Sequence, residues 1–256
     1  MDAFPNFLGR DKRKNIMVKL PSVEEMLKAG MHFGHRTNRW HPKMKPYIFT
    51  DKKGIYIIDL NKSREKLAEA LEFMSQLISE GKSVLFVGTK NQVKNGMKNM
   101  AEATGMPYIV GKWLGGYLTN FAVVKKSVKK YQDLVEAKAS GKLEKYTKKE
   151  QLDFAREIKK LEERVGGLIG LNKLPDALFI WDIIEEETAL TEARAKNIPV
   201  IAICDTNVNP ELVTYPIPAN DDATKTIALL MDVIKEAVTE AKKNIKTTEN
   251  KVVENK

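Results

Sequence analysis

Ser83-Val84-Leu85-Phe86-Val87-Gly88-Thr89-Lys90-Asn91-Gln92 passes from a wholly apolar segment through a glycine turn into a helix over Asn91 to Thr104. An apolar run without polar alternation reads as a strand buried on both faces. Tyr108-Ile109-Val110 follows that helix, and Asp176-Ala177-Leu178-Phe179-Ile180-Trp181 and Pro199-Val200-Ile201-Ala202-Ile203 resume the series. A helix from about Glu185 to Lys196 separates the last two, and a final helix starts near Asp221 and passes Ala237. Upstream, Ile55-Tyr56-Ile57-Ile58-Asp59-Leu60 is a β-branched run, and Leu67, Leu71, Met74, Leu77 and Ile78 recur at helical spacing as far as Gly81. Buried strands separated by helices imply a doubly wound α/β domain with a parallel sheet covered on both faces.

The series is interrupted once. Phe121, Val124, Val128, Tyr131 and Val135 advance by threes and fours, and Phe154, Ile158, Leu161 and Val165 repeat the pattern after a turn at Ser140-Gly141. Thr147-Lys148-Lys149-Glu150 is a capping box for the returning helix. Two matching seams and a glycine turn predict an inserted antiparallel coiled-coil hairpin over residues 121–165, hinged at Gly115-Gly116 and Gly166-Gly167. The α/β domain is then discontinuous, over residues 22–120 and 166–240. Residues 1–21 form a basic extension, and the polar segment 241–256 is expected to be disordered. Ser22-Val23-Glu24-Glu25 is a second capping box, opening a short helix that stops at Gly30.

With 256 residues the chain can bury a proper core, and its formal charge of +9 favours polyanionic partners. Cys204 is the only cysteine, so neither an intrachain disulfide nor a cysteine-cluster zinc site is expected. It lies in an apolar run and reads as an inert core thiol. No apolar run approaches a membrane span, and no signal peptide is read, so a cytosolic protein is expected.

The stretch from His32 to Phe49 holds all three histidines, four basic residues, four aromatic rings besides the imidazoles and two prolines, and no acid. His41-Pro42 and Lys45-Pro46 argue for an ordered loop rather than a helix. A basic, aromatic loop suits phosphates and stacked bases better than catalysis. Residues 121–149 add nine lysines, among them Lys125, Lys126, Lys129 and Lys130, against three acids. A solvated helix face is the bland account of such a run, and phosphate contact is the sharper one.

Lys90, at a strand-to-helix turn, is placed to meet one phosphate, although no P-loop spacing is present. An ordinary turn is the alternative. Trp113-Leu114-Gly115-Gly116-Tyr117-Leu118-Thr119-Asn120 reads as a hinge, a core plug or a base-stacking platform. Asp59, Asp182 and Asp205 end strands, where doubly wound sheets carry their sites, and such carboxylates could hold Mg²⁺. No nucleophile, base and oxyanion donor assemble around them. A loop histidine with Asp205, Asp221 and Asp222 would suit zinc or a harder divalent ion; a structural histidine bonded to a carboxylate is the competing account. N-terminal capping is the plainer reading of Asp221-Asp222. The candidate RNA contacts are therefore Arg36, Arg39, Trp40, Lys43, Lys45, Lys90, Trp113, Asn120, Lys125, Lys126, Lys129 and Lys130.

Several of these motifs occur together and in order. They are Gly30-Met31-His32-Phe33-Gly34-His35, Trp40-His41-Pro42-Lys43-Met44-Lys45-Pro46-Tyr47-Ile48, Leu85 to Lys90, Trp113 to Gly116 and Leu118 to Asn120. Leu174 to Phe179, Asp205-Thr206-Asn207 and Tyr215 to Ala223 continue the set. Over about residues 22–240 the chain closely resembles the bacterial small-subunit ribosomal protein S-two family. His41 and Ala219 stand where asparagine and glycine are commoner, and residues 1–16 extend beyond the usual start. The resemblance implies a Rossmann-like domain, in flavodoxin-like style, with an inserted coiled-coil hairpin. It implies a non-enzymatic constituent of the small ribosomal subunit that binds rRNA, contacts neighbouring ribosomal proteins and helps to dock ribosomal protein S-one. It also implies one metal ion, Zn or Mg, on His35, Asp205, Asp221 and Asp222, with no organic cofactor. No membrane partner and no homo-oligomer are expected. The alternative is a metal- or nucleotide-dependent α/β enzyme acting on a phosphorylated substrate.

Overall fold

The computed structural model describes residues 19–253, with side chains as far as Ile245. Most of the expected N-terminal extension therefore lies outside the described residues. Ser22 caps α1 (Val23–Ala29): its hydroxyl accepts from the Glu25 N–H at 3.1 Å, while the Glu25 carboxylate accepts from the Ser22 N–H at 2.7 Å.

The stretch read as an ordered loop is built of regular elements. It holds β1 (Phe33–Arg36), a 3-10 turn over Pro42–Tyr47 and the start of β2 (Ile48–Lys52), which turns at Lys53-Gly54 into β3 (Ile55–Ile58). The three strands pair antiparallel in the order β1-β3-β2. The apolar run at Ile55 thus belongs to a small separate sheet and not to the parallel one. Both prolines of the stretch sit inside the 3-10 turn, where neither interrupts a ladder.

The parallel sheet follows. Asp59 caps the long α2 (Leu60–Ser79), which leads to β4 (Val84–Val87), α3 (Lys94–Thr104) and β5 (Tyr108–Ile109). After the interruption come β6 (Ala177–Trp181), α6 (Glu187–Ala195), β7 (Val200–Cys204), β8 (Tyr215–Pro218) and α7 (Thr224–Val253). The spatial order is β5-β4-β6-β7-β8, all parallel, so the chain reverses direction across the sheet between β4 and β6. β8 was not legible as a strand because Pro216 and Pro218 fall within it, which an edge position tolerates.

Alternation along the strands feeds two cores. Val84, Phe86, Phe179, Trp181, Ile203 and Ile217 face a layer built with α2, α3 and α7. Leu85, Val87, Leu178, Ile180, Ala202 and Cys204 face the other layer, which includes residues of α6 and of the Trp113–Leu118 segment. Burial pushes the Cys204 thiol well above its ordinary pKa, as expected for an inert core residue. The final helix runs through the segment expected to be disordered, as far as Val253. Ile234, Ala237, Val238 and Ala241 anchor it to the core, and no glycine or proline interrupts it between Thr224 and Val253.

The interruption consists of α4 (Phe121–Ala139) and α5 (Lys148–Val165), which pack against each other. Lys130 pairs with Glu157, and the Tyr146 ring meets Phe154 edge-on. Thr147 and Glu150 form the capping box at the start of α5. At the expected hinge Gly166-Gly167 the second glycine serves a close approach. A Cβ at Gly167 would collide with the Tyr108 carbonyl oxygen of β5, and one at Gly111 would stand 2.5 Å from the Glu163 carbonyl oxygen. These glycines allow backbones to touch.

Candidate functional site

The C-terminal ends of the parallel strands gather the charged residues. Lys90 lies just past β4, Asp182 directly after β6, Asp205 directly after β7, and Asp221 and Asp222 beyond β8. This is the crevice in which doubly wound sheets bind ligands, at the reversal between β4 and β6.

Here the crevice is filled by the chain itself. The Lys90 ammonium lies 2.6 Å from Asp222 Oδ1, 3.2 Å from Asp182 Oδ2 and 3.2 Å from Asp221 Oδ2. Burial alone would lower the Lys90 pKa, but the carboxylates outweigh it and hold the ammonium protonated beyond the ordinary lysine range. Asp182 adopts a left-handed φ of 69°, and its Oδ1 accepts from the Ile184 N–H at 2.9 Å. Glu186, also buried, accepts from the Thr89 N–H at 2.7 Å, and burial raises its pKa. Burial, reinforced by Asp205 and Asp182, pushes Asp221 up to about 7 against the pull of Lys90. The Lys90 ammonium, expected to meet a phosphate, is engaged three times within the fold.

The basic stretch is fastened to this edge through Thr206. The Thr206 hydroxyl oxygen accepts from the His35 N–H at 2.8 Å, and its carbonyl accepts from the His41 N–H at 2.8 Å. Asn220 adds a bond from its side-chain amide to the Phe33 carbonyl at 2.6 Å. Asn220 Oδ1 also accepts from the Asp222 and Ala223 N–H groups, so the turn before α7 is made by Asn220 and not by Asp221-Asp222.

His35 Nδ1 stands 3.2 Å from Asp205 Oδ2, at ion-pair distance but without the alignment of a hydrogen bond. The Asp205 carboxylate raises the His35 pKa against the opposing effect of burial. Since the folded pKa exceeds the unfolded one, this stabilisation is fully present below about pH 6.5 and is lost as pH rises through the raised value. The melting temperature of the wild type is expected to fall more steeply from about pH 6.5 to 8 than that of His35→Gln. Parallel curves would show that the pair contributes nothing.

The expected metal ligands do not assemble. Among the described residues no three histidine, cysteine or acidic side chains converge as a ligand group. Asp221 and Asp222 enclose Lys90, while His35 and Asp205 face each other. The set does not fit a metal ion in this arrangement, because a protein cation holds two of its carboxylates.

The other predicted contacts divide. Arg36, Arg39 and Lys45 are exposed; Lys43 is exposed and paired with Glu211 at 2.8 Å, and Trp40 is half-buried with its ring 5.0 Å from that of Tyr56. Asn120, Lys125, Lys126 and Lys129 are exposed, and Lys130 is engaged with Glu157. Trp113 is a core plug. It is buried, packs edge-on against Tyr117 and donates its indole N–H to Glu192 at 3.1 Å, so it offers no face to a base.

Three residues escaped the sequence reading. Glu192 of α6, only 7% exposed, accepts from Trp113 Nε1, from the N–H groups of Gly116, Leu118 and Thr119, and from the Thr119 hydroxyl. Burial alone would raise its pKa, but these donors hold it below the usual carboxylate value. An isolated glutamate on a short helix carries no sequence signal of such a role. Phe49 is 74% exposed at an irregularity of the β2–β3 ladder, and Phe33 is 48% exposed on β1.

Comparison with known proteins adds the following. The family model for ribosomal protein S2 matches residues 26–241. The small ribosomal subunit protein uS2 of Fusobacterium nucleatum is 45% identical over 229 residues, spanning 89% of this chain and 93% of that protein. The protein of the same name from Coprothermobacter proteolyticus is 46% identical over 86% of this chain and 82% of its own length. That of Sulfurimonas denitrificans is 46% identical over 86% and 85%.

Proposed function

This chain belongs to the ribosomal protein S2 family and is a structural constituent of the small ribosomal subunit; from that premise we propose that it grips small-subunit rRNA with two basic surfaces. One is the Thr206-anchored stretch presenting Arg36, Arg39, Lys43 and Lys45, and the other is the lysine face of α4. The observation that carries the reading is exposure: Arg36, Arg39, Lys45, Lys125, Lys126 and Lys129 all reach solvent from ordered backbone. Cations held this way give affinity through phosphates without reading sequence. The α4–α5 pair acts as a coiled-coil arm in this reading.

Protein docking belongs to the opposite chemistry. Phe33 and Phe49 leave large apolar surface in water on strands of the small sheet. Apolar exposure of this kind suits a protein partner, and we assign it to ribosomal protein S-one. The enzyme reading finds no support, since Lys90 and its carboxylates fill the crevice where a phosphorylated substrate would bind. Among the described residues no helix is long and apolar enough to cross a membrane.

Joint replacement of Lys125, Lys126 and Lys129 by glutamate is the test. Affinity for small-subunit rRNA is expected to drop, and the slope of log affinity against log salt to flatten by about 2. The unfolding midpoint should hold, because all three side chains are exposed. An unchanged slope, or crosslinks from assembled subunits confined to α2 and α6, would remove α4 from the interface.

A further inference from the structure

An ammonium group has three N–H donors and no acceptor. At Lys90 three carboxylates lie within 3.2 Å of it, Asp182 as a hydrogen-bond acceptor and Asp221 and Asp222 as ion-pair partners. One positive charge faces Asp182, Asp221 and Asp222, and the crowding shows in Asp221, which burial and the neighbouring Asp205 and Asp182 push up to about 7. A buried oxygen is also left over: Asp221 is 1% exposed, and its Oδ1 has no hydrogen-bond partner. Buried polar atoms without partners are rare and mark strain, a missing ion or a missing water. Asp222, 52% exposed, is the member of the cluster that faces solvent most.

We infer that Lys90 is the resident cation of this cluster, standing where a divalent metal ion would otherwise sit, and that such an ion gains Asp221 and Asp222 only by displacing the ammonium. The disagreement between the expected metal ligands and the observed contacts then has a physical cause. Lys90 neutralises the carboxylates without depending on metal supply, and it does so from the turn after β4, which ties that strand to the ends of β6 and β8. A divalent ion would carry more of the counter-charge than one ammonium can. It would have to enter past Asp222 and drive the lysine head outward.

The test uses the full chain and Zn²⁺ alone, with affinity read by competition against a chromogenic chelator. Lys90→Met removes the competitor and keeps the bulk of the stem. It is expected to bind Zn²⁺ at least about ten-fold tighter than the wild type, whereas Lys90→Arg should bind no more tightly than the wild type. Metal-free Lys90→Met should melt below the wild type and recover on adding Zn²⁺. Equal or weaker Zn²⁺ binding by Lys90→Met, including no binding by either protein, would overturn the inference. Should Lys90→Met fail to fold, wild-type protein decides by amine acylation read at Lys90. Faster labelling with Zn²⁺ than with chelator supports displacement, and an unchanged rate overturns it. Neither readout involves rRNA, so the outcome is independent of the proposed RNA surfaces.

Discussion

Glu192→Ala is expected to cost the fold about 3–5 kcal/mol, since removing one member of a buried charged network strands its partners. The carboxylate receives five hydrogen bonds, four of them from the segment between Gly116 and Thr119 or its indole neighbour Trp113 through N–H groups and one from a hydroxyl. Alanine would leave those donors facing an apolar void beside α6. Glu192→Gln preserves the shape but turns an N–H₂ toward the donors, so a smaller loss of about 1–3 kcal/mol is expected. Urea unfolding of the two variants measures both. A Glu192→Ala midpoint indistinguishable from the wild type would mean that the segment leading into α4 is held by packing alone.

Gly34→Ala should loosen the basic stretch while leaving the main cores intact. A Cβ at Gly34 would stand 2.5 Å from Thr206 Cγ2 and 2.8 Å from Thr206 Oγ1. Thr206 is fully buried and bonded on several sides, so it cannot retreat without releasing the His35 or His41 N–H. Overpacking of this kind costs about 1–3 kcal/mol. The larger effect is expected on rRNA affinity, because Arg36, Arg39 and Lys45 would lose their fixed backbone. Combining it with Thr206→Ser deletes the nearer clashing atom and keeps the hydroxyl, so affinity should partly return. Gly34→Ala with wild-type rRNA affinity would sever the link between this anchor and binding.

Much of this molecule was written in local pattern. β4, β6 and β7 are buried on both faces, and such strands announce themselves as unbroken apolar runs. The seams of α4 and α5 were equally plain, because i, i+3 and i+4 spacing is a property of neighbouring residues. What stayed hidden depends on distant partners. Ile55–Ile58 looks like any β-branched strand, and only tertiary pairing sends it to the small antiparallel sheet. Lys90 has the right type and place for a phosphate, yet its carboxylates come from residues 182, 221 and 222. Trp113 is the same case, since Glu192 lies 79 residues away. Residue type signals chemistry well, and sequence separation conceals whether that chemistry is already satisfied.

Gly111 and Gly167 clamp the end of α5 against β5 at two points, Glu163 and Tyr108, while Glu192 secures the strand of chain that enters α4. Both roots of the α4–α5 pair are therefore held by contacts that leave little room for larger side chains or for lost donors. A segment whose orientation is already fixed by the fold forfeits less freedom on docking than one that must be ordered at that moment.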